Sequence, residues 1–455
     1  MAVVHELGVV EIAEAVANGS LTPSEIAEGL IKRIQDLDPR VQAFAYFDPK
    51  DIRAQAAVLT SEAKAGKLRG PLHGVPVGIK DEFWVKGQPT GMRGAGAKPE
   101  AEDATPVAKL RAAGAIIMGK TYMPVGGKVP PTHNPWNLGH TAGGSSSGSG
   151  ASVGARMVPV ALGEQTVGSN LRPAAYCGVQ AVKPSWGVVS RYGCYPFSYT
   201  LDHPSVIGRS MADMALVLSV IAGPDPKDPT TLPAGEAPAL PGTLATLGRA
   251  PKIGIVRNFF PERTEKIILD EIERTAGELK KAGAAVQDFR LPEQFPLAWH
   301  VHKIVNGVEA STFNAKRLTS PFDELAVSAA ASTTASTVNR ALAALIPGTY
   351  YLQAMRIRGW LEKLTADSLG DLDALVMAVA PSPAPRGLSN TGDPSLLGPW
   401  TLFGWPAIAL STALSPEGLP LGIQMVAQRN RDYHLLQVGA WSEEVLGRLP
   451  APPLD

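Results

Sequence analysis

Two glycine- and serine-rich segments carry most of the residues whose types and spacing could do chemistry. The first runs from Gly143 to Gly150 and the second from Gly163 to Pro173. A helical stretch at 151–157 and an apolar strand at 158–162 separate them, so both can face one crevice at neighbouring strand ends. A serine hydroxyl becomes a nucleophile when a neighbouring group accepts its proton. The pattern therefore predicts a site for nucleophilic catalysis.

Lys80 follows a short apolar run, Pro76 to Ile79, that is typical of a buried strand. Burial disfavours the charged ammonium and lowers the pKa of a lysine, so the neutral amine can act as a base. A chain of hydroxyl groups can then carry the proton from the attacking serine to this lysine.

Three other interpretations of the first segment stay open at this point. A phosphate-binding loop would place lysine directly after the second glycine of its motif, whereas Ser149 follows Gly148. A Ser-His-Asp esterase would use Ser146 in Gly144-x-Ser146-x-Gly148, which requires a strand–turn–helix context and a suitable histidine. A flexible linker fits the composition, but apolar periodic segments on both sides argue against it.

The order of these segments resembles that of the amidase signature family, serine hydrolases with a Ser–cis-Ser–Lys triad. The likeness rests on the lysine segment Gly74 to Asp81, on Asn134 to Ser149, and on Gly163 to Pro184. Two further stretches also match, Gly208 to Asp213 and Gly418 to Gln424. Because separate motifs occur in family order, the resemblance covers most of the chain.

The resemblance implies a role for each matching position. Ser169 falls on the nucleophile, Ser145 on the serine that follows a cis peptide bond, and Lys80 on the catalytic lysine. The oxyanion-binding backbone N–H groups are those of Thr166, Val167, Gly168 and Ser169. Supporting roles are implied for Gly144, Ser146 and Arg172.

The chain also departs from the family pattern around the implied nucleophile. Glu164-Gln165 stands where many members have Thr-Asp, and Val167 replaces glycine or alanine. A β-branched residue disfavours positive φ, so this loop is expected to be shaped differently. Thr401 replaces an asparagine. These changes leave the triad in place and the substrate class open.

Aromatic and methionine side chains near the two segments predict an apolar substrate pocket, although core packing explains them equally well. The predicted pocket residues are Tyr122, Met123, Trp136, Phe403 and Trp405.

Alternating strands and helices predict an α/β fold, in which a largely parallel mixed sheet is covered by helices on both faces. A capping box at Thr22-Pro23-Ser24-Glu25 begins one long helix, and Asp38-Pro39 is predicted to end it. We expect a single domain over residues 1–455. Its parts are N-terminal helices in 1–70, a catalytic core in 71–221, a surface connection in 222–250, and the remaining sheet, helices and pocket region in 251–455.

The composition excludes several classes of function. The 455 residues include 42 basic and 42 acidic side chains, so the chain lacks the basic surface of a nucleic-acid-binding protein. No apolar run approaches the ~18 residues of a transmembrane helix, and the first residues lack a basic signal region. With only two cysteines, Cys177 and Cys194, we expect a cytoplasmic protein with reduced thiols.

The resemblance therefore implies a hydrolase that cleaves C–N bonds of amides or carbamates (urethanes) through an acyl-enzyme on Ser169. Neutral apolar or aryl small molecules are the expected substrates, with ester cleavage as a side activity and no metal or cofactor. Urethanases, aryl acylamidases and the glutamine amidotransferase subunit of tRNA charging fall within this range. The alternatives that remain are a Ser-His-Asp esterase, the glutamine amidotransferase subunit and an inactive binding protein, and a homodimer is one assembly the sequence allows.

Overall fold

A computed structural model of the protein describes residues 4–91, 97–125, 129–314 and 342–454. Within these ranges the helices are α1 (Val9–Ala17), α2 (Pro23–Val41), α3 (Pro49–Lys64), α4 (Thr105–Ala112), α5 (Ser147–Gly154), α6 (Leu171–Tyr176), α7 (Met211–Ile221), α8 (Lys266–Lys281), α9 (Leu297–Asn314), α10 (Gly348–Ser368), α11 (Gly398–Phe403) and α12 (Asp432–Leu446). The strands are β1 (Phe44–Tyr46), β2 (Pro76–Lys80), β3 (Ile116–Thr121), β4 (His133–Asn134), β5 (Asn137–Thr141), β6 (Val160–Gln165), β7 (Gln180–Lys183), β8 (His203–Gly208), β9 (Lys252–Val256), β10 (Ala285–Phe289), β11 (Ala374–Ala378), β12 (Ala407–Leu414) and β13 (Pro420–Val426).

One mixed sheet of eleven strands forms the centre of the fold, in the order β1-β3-β2-β6-β8-β7-β12-β13-β11-β9-β10. Parallel pairing occurs in two flanks, β3-β2-β6 and β11-β9-β10, while the strands between these flanks pair antiparallel. Most strands are buried along their whole length because helices cover the sheet. The predicted α/β class with a mixed sheet between helices is confirmed.

The parallel pairing of β2 with β6 sets the position of the candidate site. Ile79 lies opposite Leu162 in this register, so the ends of both strands meet at one edge of the sheet. Lys80 is the last residue of β2, and Gln165 is the last residue of β6. The chain therefore delivers the lysine segment and the second Gly/Ser segment to the same edge, as the sequence pattern predicted.

The first Gly/Ser segment is not a linker, because its second half, residues 147–150, forms the start of helix α5. This helix begins at Ser147, four residues before the predicted start, and every residue in it is buried. Gly148 permits this packing, since a Cβ atom there would collide with the backbone at Ala43 and Tyr122. The glycines thus allow a helix to lie directly on the chain that follows β3.

Helix α2 begins at the predicted capping box but continues past the predicted stop to Val41. Pro39 lies in its last turn, where Gln42 adopts a left-handed conformation and donates its N–H to the carbonyl of Asp38. The Asp38 carboxylate also accepts the N–H groups of Ala43 and Phe44. These bonds hold the helix end around the proline.

Beyond α7, residues 222–250 contain no helix or named strand and lead to β9. Among the described helices, none combines the length and apolar content that crossing a membrane would require.

The contacts of Gly148 predict a large effect of a small substitution. Gly148→Ala should lower the free energy of unfolding by about 3 kcal/mol, because the new methyl group meets backbone rather than a movable side chain. Gly277→Ala, within α8 and with no atom near its Cβ position, is the matched control and should stabilise the protein by about 0.5–1 kcal/mol. Urea unfolding measures both values, and an equally stable Gly148→Ala variant would contradict the packing described.

Candidate active site

Lys80 and Ser145 make a direct contact at the edge of the sheet. Lys80 is fully buried, and its Nζ donates a hydrogen bond of 2.9 Å to Ser145 Oγ. The Gly144–Ser145 peptide bond is cis, as predicted. Ser145 is half-buried, whereas the amine that contacts its hydroxyl is fully enclosed.

Arg172 fixes the peptide that presents Ser145. Its guanidinium donates to the carbonyl of Gly144 at 2.5 Å and to the carbonyl of Gly392 at 2.9 Å. The side chain is buried, and burial lowers the pKa of Arg172. Its supporting role is therefore to bind two backbone carbonyls, and the structure gives it no carboxylate at hydrogen-bond distance among the described residues.

Ser146 ties the two Gly/Ser segments together through the backbone. Its N–H donates to the carbonyl of Ser169 at 3.0 Å, and its Oγ exchanges 3.3 Å hydrogen bonds with the N–H and carbonyl of Glu164. Ser146 is fully buried. It holds the candidate nucleophile segment against the start of α5 rather than extending the chain of hydroxyls.

Ser169 lies in the turn between β6 and α6 and is half-buried. Gln165 holds this turn, since its Oε1 accepts the N–H groups of Asn170 and Leu171, each at 3.1 Å. Its Nε2 donates to Thr401 Oγ1 at 3.1 Å. The departures at positions 165 and 401 are thus partners in one hydrogen-bonded network.

In residues 166–169 the backbone carbonyls and the backbone N–H groups differ in their hydrogen bonding. Every carbonyl accepts a hydrogen bond: Thr166 from His302 Nε2, Val167 from Thr401 Oγ1, Gly168 from the N–H of Arg172, and Ser169 from the N–H of Ser146. None of the four N–H groups donates to another of the described residues. Such a turn presents free donors to an anionic oxygen.

Val167 does not impose the strain that its β-branch suggested. The described non-glycine residues with positive φ are Gln42, Arg156, Phe259 and Asn430, and Gly168 also lacks a positive φ. Since no residue of the turn needs the left-handed region, a valine fits there.

The expectation that burial alone makes Lys80 neutral is wrong for this chain. Burial does lower the pKa of Lys80, but Glu82 and Glu164 oppose it, and the net pKa is raised. Glu82 Oε1 lies 3.0 Å and Glu164 Oε2 3.3 Å from Lys80 Nζ. The amine is held in a dry site by two carboxylates as well as by Ser145.

These carboxyl groups belong to a larger buried acidic cluster. Burial, opposed by Lys80, raises the pKa of Glu82 to about 8, and burial also raises the pKa of Glu164. Asp202 joins the cluster through Thr166, whose Oγ1 lies 2.9 Å from Glu164 Oε1 and 2.8 Å from Asp202 Oδ1. Burial and the charge of Glu164 raise the pKa of Asp202 to about 7.

Three of the predicted pocket residues are packed elsewhere. Phe403 and Trp405 are buried in an aromatic core cluster, in which both rings contact the ring of Trp400. Trp136 donates its Nε1–H to the carbonyl of Cys177 at 3.0 Å, at the far end of α6 from Ser169. It borders a cavity of about 620 Å³ that none of the triad residues lines.

Tyr122 and Met123 follow β3 and stay candidates for the pocket. The Tyr122 backbone receives the N–H of Gly148 and donates to the carbonyl of Ala43, which places it at the start of α5. Its side chain is half-buried, whereas Met123 is buried.

The histidine-based alternative finds no support among the described residues. Ser146, its nucleophile, bonds only to backbone groups, and no histidine lies at hydrogen-bond distance from it. Three buried histidine side chains bond to carbonyl oxygens, namely His73, His203 and His302. Within the described ranges there is also no group of three side chains suited to hold a metal ion.

The sequence reasoning missed two residues of the site. Glu82 lies in the turn directly after β2, two positions beyond Lys80, and this closeness in sequence was the available signal. His302 has no such local signal, because it reaches the turn from α9, more than 130 positions along the chain.

Comparison with known proteins identifies the family of this chain. Residues 25–436 match the model of the Amidase family. The chain is 32% identical over 488 aligned residues to a subunit of the glutamyl-tRNA(Gln) amidotransferase of Salinispora tropica, with 98% of each chain covered. The chain belongs to the amidase family and is an amide-hydrolysing enzyme.

Solved structures show the same architecture. The native peptide amidase from Stenotrophomonas maltophilia matches with a TM-score of 0.85 at 27% identity, over 99% of each chain. A 6-aminohexanoate cyclic dimer hydrolase matches with a TM-score of 0.83 over the full length of both chains. Its identity is 24%, so this second likeness concerns the fold alone.

His302 holds the carbonyl of Thr166 and thereby helps to fix the turn that carries the free N–H groups. This contact can be tested. Burial lowers the pKa of His302 to about 4, so the neutral ring donates to Thr166 at assay pH. His302→Leu should lower kcat about tenfold with little change in KM, the cost of about one hydrogen bond. His302→Gln, which keeps an amide donor, should retain most of the activity. Equal kcat values for the parent and the leucine variant would contradict this role.

Proposed function

We propose that the protein hydrolyses C–N bonds through an acyl-enzyme on Ser169, with Ser145 as proton relay and Lys80 as base. One observation carries the proposal: a buried amine bonds to the serine after a cis peptide, beside a turn whose four carbonyls are engaged and whose N–H groups are free of partners among the described residues. A base, a relay and an anion-binding turn thus share one edge of the sheet.

In the acylation step, neutral Lys80 accepts the proton of Ser145 as Ser145 accepts the proton of Ser169. The Ser169 oxygen bonds to the substrate carbonyl carbon, and the carbonyl π electrons move to oxygen. The N–H groups of the turn stabilise this oxyanion, and one such donor typically contributes about 3–4 kcal/mol. Because the donors are fixed before the substrate binds, little reorganisation is needed.

Collapse of the tetrahedral intermediate breaks the C–N bond. The proton on Lys80 returns through Ser145 to the departing nitrogen, which leaves as a neutral amine. Water then takes the place of the amine, gives one proton through Ser145 to Lys80 and bonds to the acyl carbon. That proton returns through Ser145 to Ser169 Oγ as the bond between Ser169 and the acyl group breaks and the acid leaves. The relay therefore works once in each half-reaction, and the neutral base and the Ser169 hydroxyl are both regenerated.

We infer that the substrates are neutral amides or carbamates. Tyr122 and Met123 would line the pocket that binds the acyl part of the substrate. The support is chemical: the described triad requires only a carbonyl and a leaving nitrogen, and both substrate classes provide them. Urethane and aryl acylamide cleavage are the finer forms of this proposal. A single domain, a homodimer and a cytoplasmic location also remain predictions.

A second candidate is the glutamine amidotransferase subunit, favoured by the 32% identity to the Salinispora tropica protein. That activity uses the same kind of acyl transfer but releases ammonia from glutamine. We place it second because the peptide amidase from Stenotrophomonas maltophilia matches equally completely in structure.

Removing the proposed nucleophile should abolish turnover. Ser169→Ala is expected to reduce release of nitroaniline from a nitroanilide by at least about 10³-fold, since its hydroxyl forms the acyl-enzyme. Ser152→Ala removes another buried hydroxyl, one that bonds to the carbonyl of Ser149, and should keep near-parental activity. Turnover by Ser169→Ala at the parental rate would show that the nucleophile is misassigned.

A substrate panel separates the two candidate functions. Anilides, aliphatic amides, aryl carbamates, esters and L-glutamine are compared by kcat/KM at one pH. We expect anilides and carbamates to exceed glutamine by about 100-fold or more, because a factor of 100 corresponds to about 2.7 kcal/mol of transition-state binding. Preference for glutamine would favour the amidotransferase function.

A further inference from the structure

The proposed mechanism assigns no role to two buried side chains, those of Glu82 and Glu164. Glu82 and Glu164 are both fully enclosed and both lie within 3.3 Å of Lys80 Nζ. A base that must be neutral to work is an unexpected neighbour for two carboxylates, since ionised carboxylates stabilise the ammonium form. The arrangement needs a reason beyond holding the lysine charged.

Two features of the geometry indicate that this cluster holds extra protons. Neither oxygen of Glu82 has an aligned hydrogen bond among the described residues, although Oε1 lies 3.0 Å from Lys80 Nζ. A buried carboxylate without aligned donors is costly, and protonation removes that cost.

The second feature is Thr166. Its Oγ1 lies within 2.9 Å of a carboxyl oxygen of Glu164 and within 2.8 Å of one of Asp202. A hydroxyl has one hydrogen to donate, so both contacts are hydrogen bonds only if one of the two acids carries a proton and donates it.

We propose that Glu82 and Glu164 act as an internal proton acceptor for Lys80, so that the amine becomes a base without releasing its proton to solvent. This inference rests on the proposed function. Both glutamates are positioning residues in that they set the protonation of Lys80 and do not touch the substrate.

The step is a proton transfer within the cluster. One N–H bond of the Lys80 ammonium breaks, its electron pair stays on nitrogen, and the proton bonds to Glu82 Oε1 or Glu164 Oε2. The net charge of the three groups is unchanged, and an ion pair becomes two neutral groups, which a dry site favours. The nitrogen lone pair then accepts the proton of Ser145.

Other charged and titratable groups face this cluster. Asp202 and Cys194 lie near the two glutamates, and burial raises the pKa of both Asp202 and Cys194. Lys120 also interacts electrostatically with Glu82, but it pairs with Asp81 at 2.7 Å. Three carboxyl groups, those of Glu82, Glu164 and Asp202, therefore face one available cation, Lys80. This excess of acidic groups favours a proton shared within the cluster.

The parent enzyme provides the first test. If Lys80 lost its proton to solvent, kcat/KM would rise about tenfold per pH unit through neutral pH, because the pKa of Lys80 is raised. With an internal acceptor, neutralising Lys80 releases no proton to solvent, so between about pH 6 and pH 8 the profile with a nitroanilide should rise far less than tenfold per pH unit, and the remaining change reflects the titration of Glu82 and Asp202. A tenfold rise per unit over that range would overturn the proposal.

Glutamine variants provide the second test, because the two explanations predict opposite signs. With an internal acceptor, Glu82→Gln and Glu164→Gln should each lower kcat/KM at pH 7 about tenfold, with recovery at alkaline pH as Lys80 loses its proton to solvent. If the glutamates only hold Lys80 charged, removing one lowers the pKa of Lys80 and leaves the rate at pH 7 unchanged or raised. That second result would overturn the proposal.

Two controls keep the outcome interpretable. Glu443→Gln removes a carboxyl group that accepts the N–H of Met211 at the cavity beside Trp136, away from Lys80 and its cluster, and should change the rate at pH 7 less than about threefold. The concentration of active sites is measured from the burst of product released by an activated ester. Rates are divided by that concentration, so incomplete folding of a variant does not affect them. An inactive Ser169→Ala beside an undiminished Glu82→Gln refutes this inference alone, whereas an active Ser169→Ala refutes the proposed function.

Discussion

The contact between Lys80 and Ser145 is the interaction on which the rest of the site depends. It joins an amine with no exposure to water to a hydroxyl that is half open. The buried amine can act as a base only if a nearby group accepts its proton. Because water is excluded, charge interactions with neighbouring side chains are strong. The carboxyl groups of Glu82 and Glu164 therefore shape the chemistry as much as burial does. Burial and neighbouring charge have opposite effects on this lysine, and here the charge prevails.

The fold brings these groups together through register rather than through sequence proximity. Parallel pairing of β2 with β6 places Lys80 and Glu164 at the same edge, and α5 packs against that edge because its glycines allow close contact. The cis peptide before Ser145 is held by Arg172 from the start of α6. Each of the three segments is therefore fixed by a different element, and the site exists only when the sheet and both helices are assembled.

Much of this arrangement could be predicted from the sequence, because the relevant signals are local. The apolar run before Lys80 and the capping box of α2 directly indicate a strand and a helix start. The sequence pattern places the start of α5 too late, since glycine and serine have low helix propensity and only the tertiary contacts of Gly148 reveal why they are needed. Composition cannot distinguish an aromatic core from an aromatic pocket lining, and the structure places Phe403 and Trp405 in a buried cluster with Trp400.

The parts that could not be predicted are those in which distant residues determine a charge or a backbone direction. Local sequence favours no particular orientation for the turn at 166–169. Its carbonyls are held by α9, α11, α6 and the residue before α5, with His302 and Thr401 as the two side-chain donors, while its N–H groups have no partner among the described residues. A turn tied through its acceptors keeps its donors free without strain, which explains how Val167 replaces a smaller residue. The substitutions that separate this chain from the family pattern are thus compensated as a set, and none of them can be interpreted alone.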